Sequence, residues 1–173
     1  MLKELLLLRH AKSDHSNLEL VDFDRPLAER GKQDAHTIGH WMLEQQLIPD
    51  HIITSPAKRT LQTIKRVRNY IDPDSHISYV QDERIYEAPH YQLLRALADA
   101  PTNAYRVLLV GHNPGLETLL HHLICQPDTM REGMKLFPTA SLAKIILPSD
   151  WKNLPANCGK LVDLWRVKEL PVA

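Results

Sequence analysis

Four consecutive leucines, Leu5 to Leu8, stop abruptly at Arg9-His10, and this junction constrains the chain more than any other stretch. Four apolar residues in a row are too few for a helix of ordinary length or for a membrane span, and they suit a buried strand. In open α/β sheets ligands bind beyond the carboxyl ends of the strands. Arg9 brings a cation and His10 an imidazole to such an end, so the pair is well placed for chemistry. Taken alone, the stretch also fits a strand that simply stops at a surface Arg-His. Later strand ends decide between the two.

A chain of 173 residues suits one domain, spanning residues 1–173, and buries a sizeable core without disulfides or structural metal. Lysine and arginine number 21, as do aspartate and glutamate, so no global field draws the molecule to nucleic acid or to an anionic membrane. Any anion site must be local. Cys125 and Cys158 lie far apart and outside any CxxC pair, which argues against a disulfide framework or a cysteine zinc site and for inert core thiols. No secretory signal or membrane span is apparent, and the cytoplasm is the simplest expectation.

Past the first strand, Asp14 to Arg25 reads as a loop bordering the site. Ala28 to Leu47 follows as a helix with Ala35, Ile38, Met42 and Leu43 at helical spacing. His36 and His40 stand four apart on that helix, but no third ligand accompanies them, and ordinary partly exposed histidines are expected. His51 to Thr54 is a short strand, with Ser55 as N-cap and Pro56 at the first position of a helix whose buried face is Leu61, Ile64, Val67 and Ile71. Arg59 falls in the first turn of that helix, beside the open N–H groups that attract phosphate.

Ile77 to Val80 forms another strand and leads into the charged Gln81-Asp82-Glu83-Arg84-Ile85-Tyr86-Glu87. A helix over Tyr91 to Ala98 and a strand over Arg106 to Val110 come next. Gly111-His112-Asn113-Pro114 then opens a helix, with Asn113 as N-cap and Leu116, Leu119, Leu120 and Leu123 buried. Gln126 to Pro138 reads as an irregular crossing segment. Ser141 to Leu147 and Lys160 to Val167 are strands that pair antiparallel at one side. The alternation predicts an α/β three-layer sandwich, with a mainly parallel central sheet and helices on both faces.

Arg9 with His10, Arg59, and His112 therefore occupy three strand-to-helix junctions that such a sheet brings to one rim. Two guanidinium groups and two imidazoles suit a phosphoryl dianion, because arginine presents paired donors to phosphate oxygens and imidazole serves as nucleophile or donor. No phosphate-binding P-loop and no carboxylate cluster suited to magnesium is present, so neither a metal nor a cofactor is expected.

These residues resemble the histidine phosphatase superfamily, also called the phosphoglycerate mutase-like family. The resemblance rests on Arg9-His10-Ala11, the Ser55-Pro56 junction with Arg59, and Gly111-His112. It extends to the compact SixA-type phosphohistidine phosphatases through Leu7 to Ser13, Asp24-Arg25-Pro26-Leu27 with Arg30-Gly31, and Gly111-His112-Asn113-Pro114. Ala11 stands where much of the superfamily has glycine, as is common in the compact branch.

The resemblance implies that His10 is the nucleophile that becomes phosphorylated, with Arg9, Arg59 and His112 binding the phosphoryl oxygens and Ser13 and Arg84 beside them on the substrate. Glu83 is similar to the general acid of mutase relatives, with Asp82 and Glu87 as alternates. The implied activity is a metal-independent phosphatase, acting on a phosphohistidine-bearing protein. Short connections between the motifs leave little chain for a lid, which suits a side chain projecting from a partner. A small phosphate ester is the alternative substrate, and a phosphate-binding or phosphoprotein-binding module without turnover is a third reading.

Overall fold

The computed structural model describes residues 1–124 and 136–171. Six strands form one sheet in the order β3-β2-β4-β1-β5-β6. They are β1 (Lys3–Arg9), β2 (His51–Thr54), β3 (Ser78–Gln81), β4 (Arg106–Gly111), β5 (Ser141–Leu147) and β6 (Lys160–Arg166). The first four run parallel, β5 is antiparallel to β1, and β6 is antiparallel to β5. The mainly parallel sheet and the antiparallel pair at one side are as the sequence predicts.

Alternation along β1 explains how two helical layers attach to one strand. Leu6 and Leu8 face α1 (Glu29–Glu44) and α2 (Lys58–Ile71), packing with Ile38, Met42, Ile64 and Val67. Leu5 and Leu7 face the other way, toward α3 (His90–Ala98) and α4 (Gly115–Leu123), among Leu93, Leu97, Leu116, Leu119 and Leu120. All four leucines are fully buried, so the run is apolar because both faces of the strand are covered.

The predicted helix faces hold with two exceptions. Leu43 is 46% exposed at the far end of α1, and Leu61 is only half-buried on α2. Both helix starts fall later than predicted. Ala57, not Ser55, is the N-cap of α2, and Pro114, not Asn113, is that of α4, neither making a side-chain cap. Ser55 Oγ accepts from Ala57 N–H at 3.3 Å and also reaches His112 across the sheet rim, where Asn113 meets Phe137 O.

His36 and His40 each lie edge-on to Tyr70, and no group of three metal-ligating side chains occurs among the described residues. Cys158 is a free, half-buried thiol packed against the α3–α4 core. Cys125 and most of the predicted crossing segment, residues 126–135, lie outside the described residues. No helix among the described residues is long and apolar enough to cross a membrane.

Candidate active site

β1 and β4 end side by side, with Arg9 in register with Gly111, so the residues just beyond them, His10 and His112, become neighbours. Their rings lie 5.1 Å apart, centroid to centroid, at 54°. The turn carrying His10 is pinned on three sides. His10 N–H donates to Gly111 O at 3.1 Å, Ala140 N–H donates to His10 O at 3.1 Å, and Ala11 N–H donates to Thr63 Oγ1 at 3.0 Å.

His10 is 6% exposed, and its Nδ1 lies 2.8 Å from Ala11 O. A carbonyl only accepts, so Nδ1 carries the ring proton and Nε2 keeps its lone pair. Burial pulls the His10 pKa down to about 4, the Ala11 bond opposes that, and Arg59 and Arg9 depress it further. His112 falls to about 3 through burial and the proximity of His10 and Arg59. Both rings are neutral near pH 7. His112 Nε2 meets Ser55 Oγ at 2.8 Å, while its Nδ1 is buried without a partner among the described residues.

Arg59, on the first turn of α2, is 7% exposed. Its terminal nitrogens donate to Asp22 O at 2.6 Å and Asp22 Oδ2 at 2.9 Å. Tyr86 OH donates to the same Oδ2 at 2.8 Å, and its ring lies edge-on to His112 with centroids 5.6 Å apart. Burial alone pushes the Asp22 carboxyl up, but the Tyr86 and Arg59 bonds outweigh it and hold it below the ordinary carboxylate value. Asp22 is therefore an ionised anchor for Arg59. Each terminal nitrogen carries two hydrogens, so one on each remains for a ligand.

Arg9 NH1 donates to Phe137 O at 3.0 Å, and its Nε is buried without a partner among the described residues. Asn113 donates to the same carbonyl at 2.9 Å and to Glu117 at 3.0 Å, which ties the end of β4 to the turn before β5. The arrangement offers one imidazole lone pair, an orphaned imidazole nitrogen and two guanidinium groups that both act on His10. This fits an in-line attack on phosphorus with the equatorial oxygens held by fixed donors.

The other predicted residues are placed differently. The Ser13 hydroxyl meets His15 Nε2 at 3.0 Å. The Arg84 guanidinium is taken up by Asp82 and Asp99, each at 2.6 Å. Glu83 is exposed at the start of a 3₁₀ turn over Glu83–Ile85, Asp82 caps that turn, and Glu87 lines a cavity of about 310 Å³ with His112 and Asn113. Asp22, Tyr86 and Ser55 are the contacts sequence reasoning missed. Tyr86 lay in a quoted motif, whereas Asp22 carried no signal beyond its place in the loop.

Residues 5–92 match the model of the histidine phosphatase superfamily, branch 1. An uncharacterized protein of Mycobacterium tuberculosis is 28% identical over 159 residues, covering 90% of this chain and 96% of that protein. The protein designated phosphohistidine phosphatase SixA in Agrobacterium tumefaciens is 29% identical, with a TM-score of 0.79 over 96% of this chain and 99% of that one. The corresponding Nakamurella protein has a TM-score of 0.81 at 23% identity, over 100% of this chain and 98% of its own, and shows a likeness of fold.

Proposed function

The chain belongs to the histidine phosphatase superfamily, and on that premise we propose that it removes phosphoryl groups from phosphohistidine on a partner protein, by way of a phosphorylated His10. The observation that carries this reading is the buried His10 ring, with Nδ1 engaged by Ala11 O and Nε2 without a hydrogen-bond partner among the described residues, under the influence of Arg9 and Arg59. In the first step His10 Nε2 forms a bond to phosphorus as the bond to the substrate imidazole breaks, that ring being protonated on its other nitrogen so that it leaves neutral. Water then attacks phosphorus, the His10 N–P bond breaks, and inorganic phosphate leaves. Arg9, Arg59 and the orphaned His112 Nδ1 bind the three phosphoryl oxygens. For that, Ser55 donates to Nε2 and leaves the ring proton on Nδ1.

The carboxylates favour an easy leaving group. Asp82 is bound to Arg84, Asp22 is an ionised anchor, and Glu83 is exposed. Imidazole leaves with little help, because its conjugate acid has a pKa of about 6.5, whereas an alkoxide depends on a positioned acid worth roughly 10²–10⁴-fold. Glu83, or Glu87 beside His112, supplies that proton if an alkyl phosphate is used at all.

Rapid quenching of the wild type with a phosphohistidine protein tests the reading. Acid-labile phosphate is expected on His10, and His10→Ala is expected to lose turnover while keeping its fold. Phosphate trapped on another residue, or an active His10→Ala, overturns the nucleophile. Turnover of alkyl phosphates alone overturns the substrate. Glu83→Gln and Glu87→Gln are expected to leave phosphohistidine hydrolysis within about threefold of wild type while lowering alkyl phosphate hydrolysis roughly 10²-fold in whichever variant removes the acid.

A further inference from the structure

Two cavities of opposite character reach the candidate site at different residues, one at His112 and the other at Arg9. On the His112 side, Glu87 stands over apolar Ala88 and Pro89. On the Arg9 side a larger cavity, about 470 Å³, is lined by Arg9, Lys12, Arg30, Arg166 and Lys168, with Glu169 the one acid among the described lining residues. In a chain with equal numbers of positive and negative side chains this is a local concentration of cations, beside one arginine of the candidate site.

Some of that charge is compensated and some is not. Arg166 NH1 meets Glu169 at 3.5 Å and Arg30 meets Asp34 at 3.7 Å, both loosely. Lys12 and Lys168 are exposed, and neither has a carboxylate within ion-pair distance among the described residues. Arg9 belongs to both the cavity and the phosphoryl site. The cavity therefore adjoins the site at this residue, and it draws on the turn after β1, the start of α1 and the turn after β6.

We propose that this cavity is a second anion subsite, which takes a carboxylate or second phosphoryl group carried by the substrate next to the reacting phosphoryl. The proposal rests on the phosphatase reading above and deepens it. Two anionic groups held on one side of His10 fix the direction in which a substrate lies. The acidic end points toward Lys12 and Lys168 and the apolar end toward Ala88 and Pro89. A protein substrate supplies the second anion from acidic residues flanking its phosphohistidine, and a small substrate supplies it from a second phosphate.

The test uses the double variant Lys12→Ala/Lys168→Ala, whose side chains lie outside the proposed phosphoryl machinery and in solvent. Singly anionic probes, p-nitrophenyl phosphate turnover and inhibition by inorganic phosphate, are expected to stay within about twofold of wild type. Inhibition by inorganic triphosphate and kcat/KM for a phosphohistidine peptide with glutamate flanks are expected to weaken roughly five- to tenfold, the scale of two exposed charge pairs. A peptide with alanine flanks is expected to show no such loss. Loss confined to the peptide assigns the second anion to a protein substrate, and loss confined to triphosphate assigns it to a small one. Equal loss on singly and doubly anionic probes, or no loss on either, overturns the subsite. Failure of every phosphohistidine peptide in the wild type overturns the proposed substrate instead, and triphosphate inhibition still reads the cavity.

Discussion

His10 and His112 are held neutral by burial beside two arginines, and that has a direct consequence for pH. Free imidazole protonates near 6.5, whereas His10 does so at about 4 and His112 at about 3. The acid limb of kcat/KM is therefore expected well below pH 6, near 4, if His10 attacks as the neutral base, and a limb at 6.5 contradicts the assignment. Stability follows the same groups. Between pH 6.5 and about 4 the unfolded chain binds protons that the folded chain refuses, so stability rises with pH across that window and falls on acidification. Thermal melts of His112→Asn are expected to show a flatter slope there than the wild type. Ser55 invites a sharper test. Read in sequence as a helix cap, its hydroxyl accepts from Ala57 N–H at the helix start and also meets an imidazole 57 residues away. Ser55→Ala is expected to lower kcat/KM roughly tenfold at a stability cost of about 1–2 kcal/mol, since both hydrogen bonds are lost and the ring loses its brace. Such partners were illegible because they are set by tertiary contact, as Asp22 is to Arg59, whereas His10, Arg59 and His112 announced themselves by following strands.

Helices and turns meet at two glycines where no side chain fits. A Cβ on Gly115 falls 2.2 Å from Ala88 O, and one on Gly31 falls 2.0 Å from Lys12 O. The first contact seats the start of α4 against the segment carrying Glu87, and the second seats α1 against the turn that follows His10. Gly115→Ala is expected to cost about 1–3 kcal/mol by forcing these backbones apart. Because His112 and Ala88 line one cavity, phosphatase activity is expected to fall with it, measured on folded protein at low temperature. Melting unchanged within a degree refutes the close packing. Element types were legible from the period of apolar residues, and boundaries were less so. Proline after Ser55 and Asn113 signals helix starts, yet the helices begin at Lys58 and Gly115, and both polar side chains reach across the rim.

Across the whole molecule, chemistry and cohesion sit at opposite ends of the same strands. At the end of the sheet away from His10, Glu4 on β1 is 5% exposed and bonds Arg106 on β4 at 2.5 Å and Lys144 on β5 at 2.9 Å. Burial raises the Glu4 carboxyl, but the Lys144 and Arg106 bonds prevail and hold it below 4.5, so its contribution is present above that pH and lost on acidification through the lower folded value. Glu4→Ala is expected to destabilise by about 3 kcal/mol, leaving two cations partly buried and unpaired, while kcat/KM in folded protein stays unchanged. A matching loss of kcat/KM contradicts the separation. The order of strands carries a further consequence, for folding. β1 is central, yet its neighbours are distant in sequence, Arg106 lying 102 residues after Glu4. An apolar strand with both edges unpaired must wait for long-range partners, which slows folding and exposes a sticky segment meanwhile. Lys3, Glu4 and Arg9 bracket the four leucines with charge, so the groups that staple one end of the strand and flank His10 at the other also act as gatekeepers against self-association while the chain is incomplete.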